Sequence, residues 1–377
     1  MKTANRNSVA MFVACLLQLV FSGCGPNVKQ VYDNYNQGRR FEQQGNLDAA
    51  IELYSAAIDG QPDFVGSYIS RGVCLCKKQQ FSSALADFNQ AIEISPGCDL
   101  AHFNKGCVLV ELAEYQRAVS SFSIAVELNP TYGVAWLRRG DTFAKLKQYD
   151  LAMVDYGKAI EFSPSDAGIY VARAAVRAKQ GMAAATISEL RRAIEVDAQH
   201  LPALLLLGTK LVEAKEIGEA EEVFARVIDF QPENSIALQK LGICKLVRNE
   251  MTEAAAHLRR AVEINPANDQ AKFYCGLVLS DLKHFAEAEV HLLDAIRIQP
   301  RDVNYRLALA KLYSRTYRAN LAIDIVDQIL VEEPGHERAA RMRRICQKAK
   351  EQEKMMGRSL RNVSNGPSDS PGGLRVD

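Results

Sequence analysis

The sequence has little of what enzymes, nucleic-acid binders and membrane spans need. Among 377 residues there is one tryptophan, Trp136, and only six histidines, scattered along the chain. Lys and Arg number 46 against 45 for Asp and Glu, so the basic footprint that a polyanion such as nucleic acid requires is missing. No GxxxxGK loop could cradle a phosphate and no GxSxG elbow could present a serine, while HExxH and CxxC are both lacking. The apolar run from Val9 to Phe21 is interrupted by Gln18 and falls short of the about 20 residues that span a bilayer comfortably. The expected class is non-enzymatic, with no cofactor, no metal and no nucleic-acid partner. What is abundant is Ala, Leu, Ile, Glu, Gln, Lys and Arg, a composition that favours helix.

The first residues stand apart. Lys2 and Arg6 precede the apolar run and small residues follow it, the pattern of a secretory signal. Setting residues 1–23 aside leaves 44 positive against 45 negative side chains. Phe21-Ser22-Gly23-Cys24 resembles the bacterial lipoprotein box: apolar, small, small, then the cysteine that receives diacylglycerol. That resemblance implies a lipoprotein signal peptide over 1–23, lipid attachment at Cys24 and a lipidated tether over 24–30. Gly25, in place of Asp, implies the outer membrane, facing the periplasm, if the cell is Gram-negative. Several acyl chains would hold the protein firmly where a single one binds only marginally. The alternative is cleavage by the ordinary signal peptidase, leaving a soluble periplasmic or secreted protein.

Proline keeps time through the rest of the chain. Pro62, Pro96, Pro130, Pro164, Pro232, Pro266, Pro300 and Pro334 fall on one register of 34 residues, and the single missed beat is Ala198. With proline as position 32, nine units run from Val31 to His336: 31–64, 65–98, 99–132, 133–166, 167–200, 201–234, 235–268, 269–302 and 303–336. Position 8 is Gly or Ala in every unit, and position 20 is Ala everywhere except Thr186. Position 24 is large and apolar, as at Tyr54, Phe88, Phe122 and Tyr156, and position 27 is mostly Ala. Two antiparallel helices per unit follow. The small residues let the backbones approach, the large one fills the space beside them, and proline, with no N–H to donate, ends the second helix.

This length and column pattern resemble the tetratricopeptide repeat. Unit four carries it most fully, in Trp136, Gly140, Phe143, Ala152, Tyr156, Ala159 and Pro164. Unit five, with Ala174, Arg177, Thr186 and Ala198, is the weakest, either a softer joint or simply divergent packing. The implied fold is all-α: an α-solenoid, coiled as a right-handed superhelix of nine helix-turn-helix units, closed by a capping helix over 337–356. Ala339, Met342, Ile345, Cys346 and Ala349 would share the inward face of that cap. The polar Gly/Ser/Pro-rich segment 357–377 is expected to be a disordered tail.

Stacked helix pairs create an extended concave surface. In the resembled family the first helix of each unit lines it, chiefly through positions 2, 5, 9 and 12. Here those columns supply Tyr35, Arg39, Ile69, Val73, Phe103, Cys107, Leu137, Asp141, Val171, Leu205, Gln239, Ile243, Phe273, Leu277, Leu307 and Lys311. The groove is largely apolar and suited to an amphipathic helix or extended peptide, unless these side chains are buried between units instead. One variety of the family clamps the carboxylate end of chaperones. Its five positions here are Ile69, Val73, Asn104, Val134 and Arg138, of which only Asn104 and Arg138 match, so that clamp is not expected.

Seven cysteines follow Cys24: Cys74, Cys76, Cys98, Cys107, Cys244, Cys275 and Cys346. They read as small buried hydrophobes, with Cys98 and Cys107 the pair to test for a disulfide. His284 and His291 are seven apart, with the inter-helix turn expected between them, and read as solvent-facing. Arg338, Arg341, Arg343, Arg344, Lys348, Lys350 and Lys354 of the cap face water or anionic lipid. The expected function is a protein–protein interaction scaffold held to the bacterial cell envelope, with partners in the groove and a membrane contact through lipid. An accessory subunit of an enzyme is a further alternative. Pilus assembly, outer-membrane insertion and wall synthesis all use repeat lipoproteins of this kind; nothing in the residues selects one, the partner, or the oligomeric state.

Overall fold

The computed structural model describes residues 26–364, and the described chain is nineteen helices without a strand. It forms two compact bodies that meet in sequence at Ala198 and Gln199, where the proline register misses its beat. The N-terminal body holds five helix pairs: α1 (Pro26–Gln43) with α2 (Leu47–Gly60), α3 (Val65–Lys77) with α4 (Phe81–Ile94), and α5 (Asp99–Glu111) with α6 (Tyr115–Leu128). Its remaining pairs are α7 (Gly133–Lys145) with α8 (Tyr149–Phe162), and α9 (Ala167–Lys179) with α10 (Ala183–Val196). The C-terminal body begins with α11 (Leu201–Glu213) and α12 (Ile217–Phe230), then α13 (Ser235–Val247) and α14 (Met251–Ile264). It continues with α15 (Asp269–Asp281) and α16 (Phe285–Ile298), α17 (Val303–Arg315) and α18 (Ala319–Glu332), and closes with α19 (Glu337–Ser364).

Each unit is built on the same physics. Its second helix stops two residues before position 32, where proline could not continue it in eight units and where α10 stops before Ala198 in unit five. Position 20 and, where Ala occupies it, position 27 are wholly buried, as at Ala118 and Ala125. The small residue at position 8 faces the large one at position 24. A β-carbon on Gly106 would stand 2.6 Å from Phe122 Cε1, and one on Gly140 would stand 2.9 Å from Tyr156 Cε1. Ala174 and Ala310 are the two exceptions in this column, in units that carry Leu190 and Val326 at position 24. Leucine alone does not make the room, since β-carbons on Gly242 and Gly276 would each stand 2.7 Å from Cγ of Leu258 and Leu292.

The turn inside every unit places position 15 in the left-handed region. Gly45, Gln79, Ala113, Lys147, Gly181, Lys215, Asn249, Lys283 and Tyr317 have φ between 55° and 79°. The next N–H then reaches back to close the first helix: Gln80 N donates to Leu75 O at 2.9 Å, and Glu114 N to Leu109 O at 2.8 Å.

The boundaries expected at both ends are corrected. Helix α1 starts at Pro26, so most of the segment 24–30 expected as a tether is helical. Proline suits a first helical turn, where its missing N–H has no partner to lose. Helix α19 runs to Ser364 rather than stopping at 356. Gly357 costs only about 1 kcal/mol in a helix, and the good helix formers Arg358, Leu360 and Arg361 follow it. Cys24, the proposed signal segment 1–23, and residues 365–377 lie outside the described residues. Ala339 and Cys346 of α19 are buried against α17 and α18, while Ile345, expected on the inward face, is half exposed.

Unit five keeps the helix pair of the other units despite its worn sequence. Thr186 replaces Ala at position 20, and its hydroxyl donates to Met182 O at 2.9 Å, so the extra polar group is satisfied inside its own helix. No helix of the described residues is long and apolar enough to cross a membrane.

Candidate functional site: the inner face

First helices of successive units pack directly on one another within each body, which makes them its inner side. In the N-terminal body, α5, α7 and α9 enclose a recess of about 520 Å³. Cys107 and Val110 come from α5, Arg138, Asp141 and Ala144 from α7, and Ala172, Ala175 and Val176 from α9, with Lys145 and Lys179 also on its lining. Tyr156 reaches it from the second helix of unit four and donates its hydroxyl to Asp141 Oδ1 at 2.9 Å. Burial pushes the Asp141 carboxyl above its ordinary range, and the Tyr156 bond and the nearby Arg138 only partly offset this. Burial also lifts the Cys107 thiol to about 11, so it is a protonated apolar group near neutral pH.

The C-terminal body has its own recess, about 590 Å³, between α15, α17 and the closing helix α19. Its floor is aromatic and aliphatic. Phe273 stacks on Tyr305 with ring centroids 4.7 Å apart and planes at 28°. The Tyr305 hydroxyl donates to Asp269 Oδ2 at 2.8 Å, which fixes the ring, and burial beside that carboxylate raises its pKa. Leu277 and Leu307 continue the floor, and Lys311 stands at its edge. No group of three His, Cys, Asp or Glu side chains that could hold a metal ion occurs among the described residues.

Models of the tetratricopeptide repeat match residues 35–97 and 205–269, and another matches 100–132. A further model, described as TPR repeat, matches 140–181. The chain belongs to the tetratricopeptide repeat family. No curated protein matches it. Among solved structures, PilF of Pseudomonas aeruginosa is 19% identical over 58% of this chain and 97% of its own, with a TM-score of 0.50. The Cut9-Hcn1 hetero-tetramer of the APC/C is 18% identical over 83% and 75%, with a TM-score of 0.49. YrrB, a TPR protein with an unusual peptide-binding site, is 22% identical over 49% and 95%, with a TM-score of 0.41. These likenesses concern the fold, an all-α helical repeat solenoid.

Against that family frame the expected groove residues separate. Arg138 and Asp141 meet in the N-terminal recess, and Phe273, Leu277, Leu307 and Lys311 in the C-terminal one. Three of the sixteen are corrected as groove-exposed residues: Ile69, Gln239 and Leu307 are only 9%, 4% and 5% exposed. Ile69 joins the core of its neighbours. Gln239 is consumed as a spacer between units, donating to Gln270 Oε1 at 3.1 Å and accepting from Asn268 Nδ2 at 2.8 Å. Leu307 joins the last core cluster and shows only its edge to the recess.

Others sit on the inner side without entering either recess. Tyr35 packs edge-on against Phe64, and Phe103 lies against Tyr132 with centroids 4.9 Å apart. Val73, Leu137, Leu205 and Ile243 are half-buried, while Arg39 is exposed. Asn104 donates to Leu100 O of its own helix at 2.9 Å, and Arg138 lies 3.8 Å from Asp141, so the two matching clamp positions are engaged separately.

Two smaller expectations change. His284 and His291 both follow the turn, at the start and middle of α16. Glu287 lies between them, 3.9 Å from each, and His291 is half-buried, not solvent-facing. Cys98 and Cys107 are not joined, and all seven cysteines of the described chain are free thiols. Recess residues missed from the sequence include Tyr156, Tyr305 and the cap side chains Arg338, Arg341, Met342 and Ile345. The basic stripe of the cap was visible, but its proximity to unit eight was not.

Proposed function

We propose that this tetratricopeptide repeat protein is a non-enzymatic scaffold of the bacterial cell envelope. It docks partner proteins on the inner faces of its two bodies and is held to a membrane by lipid on Cys24. The observation that carries the docking part is that both recesses are lined by the first-helix columns. There, part-exposed apolar side chains lie beside charged groups, the mixture that fits an amphipathic helix or an extended peptide. Envelope attachment is supported by the Phe21-Ser22-Gly23-Cys24 box. With Gly25 in place of Asp after that cysteine, the protein of a Gram-negative cell would face the periplasm from the outer membrane.

Labelling cells with a radioactive fatty acid tests the anchor. Label on the mature chain that disappears with Cys24→Ser is expected. An unlabelled, fully processed chain would instead make it a soluble adaptor outside the cytoplasm. The docking part is tested separately, by crosslinking in cells and mass spectrometry of the adducts, and stands or falls without the lipid.

A further inference from the structure

We propose that the C-terminal recess is a binding site for an acidic peptide segment of a partner protein, in which large apolar side chains are flanked by Asp or Glu. The proposal rests on the reading of the inner face as a docking surface and names the chemistry it selects. Three cations line the recess, Lys311, Arg338 and Arg341, against the single carboxylate of Asp302. Asp302 is already committed: its Oδ1 accepts from the backbone N–H groups of Asn304 at 2.8 Å and Tyr305 at 3.1 Å, capping α17. Arg338 spends one nitrogen on Asn304 Oδ1 at 2.8 Å. Lys311 and Arg341 are exposed, and neither side chain has an ion-pair or hydrogen-bond partner among the described residues.

The cations stand on different helices, Lys311 on α17 and Arg341 on α19, around one apolar floor. A bare phosphate or a short anion would leave that floor wet, whereas a peptide can meet both. Its apolar side chains would cover the part-exposed Phe273 and Leu277 and also Ile345, which is 49% exposed at the recess. Its carboxylates would pair with the two unpartnered cations. The closing helix is thereby one wall of a site as well as a cover for the last core.

The test is a selection of short random peptides on the immobilised full chain, repeated on a chain carrying Lys311→Glu and Arg341→Glu. Both side chains are exposed and unpartnered, so the body should fold. A Lys311→Gln, Arg341→Gln chain serves if the charge reversal disturbs it. The expected result is enrichment of Asp and Glu beside large apolar residues, with selected peptides binding the reversed chain about tenfold or more weakly. The same peptides with Lys in place of Glu should bind the reversed chain better than the parent.

Enrichment that ignores both variants, enrichment of Lys and Arg, or equal binding by purely acidic peptides would overturn the proposal. So would concentration-dependent self-association that occupies the recess, or retention by anionic vesicles abolished by the same reversal. Peptides lost on Arg138→Glu but kept on the reversed chain would overturn this site and leave the scaffold reading intact. No selected peptide on any chain, together with no adduct in cells, would overturn both.

Discussion

Arg139 grips Asp155 with two parallel hydrogen bonds, Nε to Oδ2 at 2.8 Å and Nη2 to Oδ1 at 2.8 Å. Its third nitrogen, Nη1, donates to Ser123 of the preceding unit at 3.0 Å. Arg71 repeats the arrangement with Asp87 and Ser55, and Arg173 forms the ion pair again with Glu189. One guanidinium therefore ties the two helices of its own unit together and, in the first two cases, ties that unit to the one before.

Breaking one side of this fork should be costly. Asp155 is buried, and Arg139→Met would leave its charge without a counterion, destabilising the N-terminal body by about 3–5 kcal/mol. Arg139→Met with Asp155→Leu should recover most of that loss. Denaturant unfolding of the two single variants and the double variant measures the coupling.

The pairing of position 8 with position 24 makes a second prediction. Gly106→Ala gains helix propensity but drives a β-carbon against Phe122, and overpacking of this kind costs about 1–3 kcal/mol. The variant should melt lower than the parent. Adding Phe122→Leu should not by itself restore the parent's melting temperature, because a β-carbon on Gly242 would stand almost as close, 2.7 Å, to Leu258 Cγ.

Position 15 predicts a gain. Ala113 sits at φ 58° with a β-carbon that this conformation disfavours. Ala113→Gly should stabilise the turn by up to about 1 kcal/mol, read as a higher melting temperature without change in the circular dichroism spectrum. The same change at Gly45 or Gly181 is already present in the chain.

Asp141 predicts a pH dependence. Burial holds its folded-state pKa above the ordinary 3.8, so folding favours the protonated form. Its contribution is full below the unfolded value and turns to a cost as pH rises through the raised folded value. Asp141→Asn should therefore melt higher than the parent at about pH 7, with the difference closing as pH falls toward about 3. A difference that widens on acidification would reverse the sign assigned here.

The helices were legible in the chain because proline, glycine and alanine act locally: Pro130 cannot continue a helix that reaches it, and Gly140 admits Tyr156 by its size alone. The left-handed turn at position 15 was not legible, because Gln79, Ala113, Lys147 and Tyr317 share no side-chain property there; the helix geometry imposes the conformation on whatever residue falls at that place. The Arg139–Asp155 fork escaped for a related reason. Its partners are 16 residues apart, a spacing set by the hairpin and not by either helix period.

The candidate site was legible only in part. The columns brought Phe273, Leu277 and Lys311 to one place, but periodicity alone does not separate Val73, half-buried, from Ile69, buried. That difference depends on how far the neighbouring unit leans over each side chain. Arg341 and Ile345 were visible as parts of a cap, and their role at the recess arises from where α19 lies against α17.

Photo-crosslinking in living cells tests the docking reading most directly. A benzophenone amino acid placed at Leu277 or Arg138 on the inner faces should give discrete adducts with a partner protein. At the exposed Val154 and Val331 of second helices it should give none. Equal adducts from both sets of positions, or none from the inner faces while the chain is folded and abundant, would contradict it.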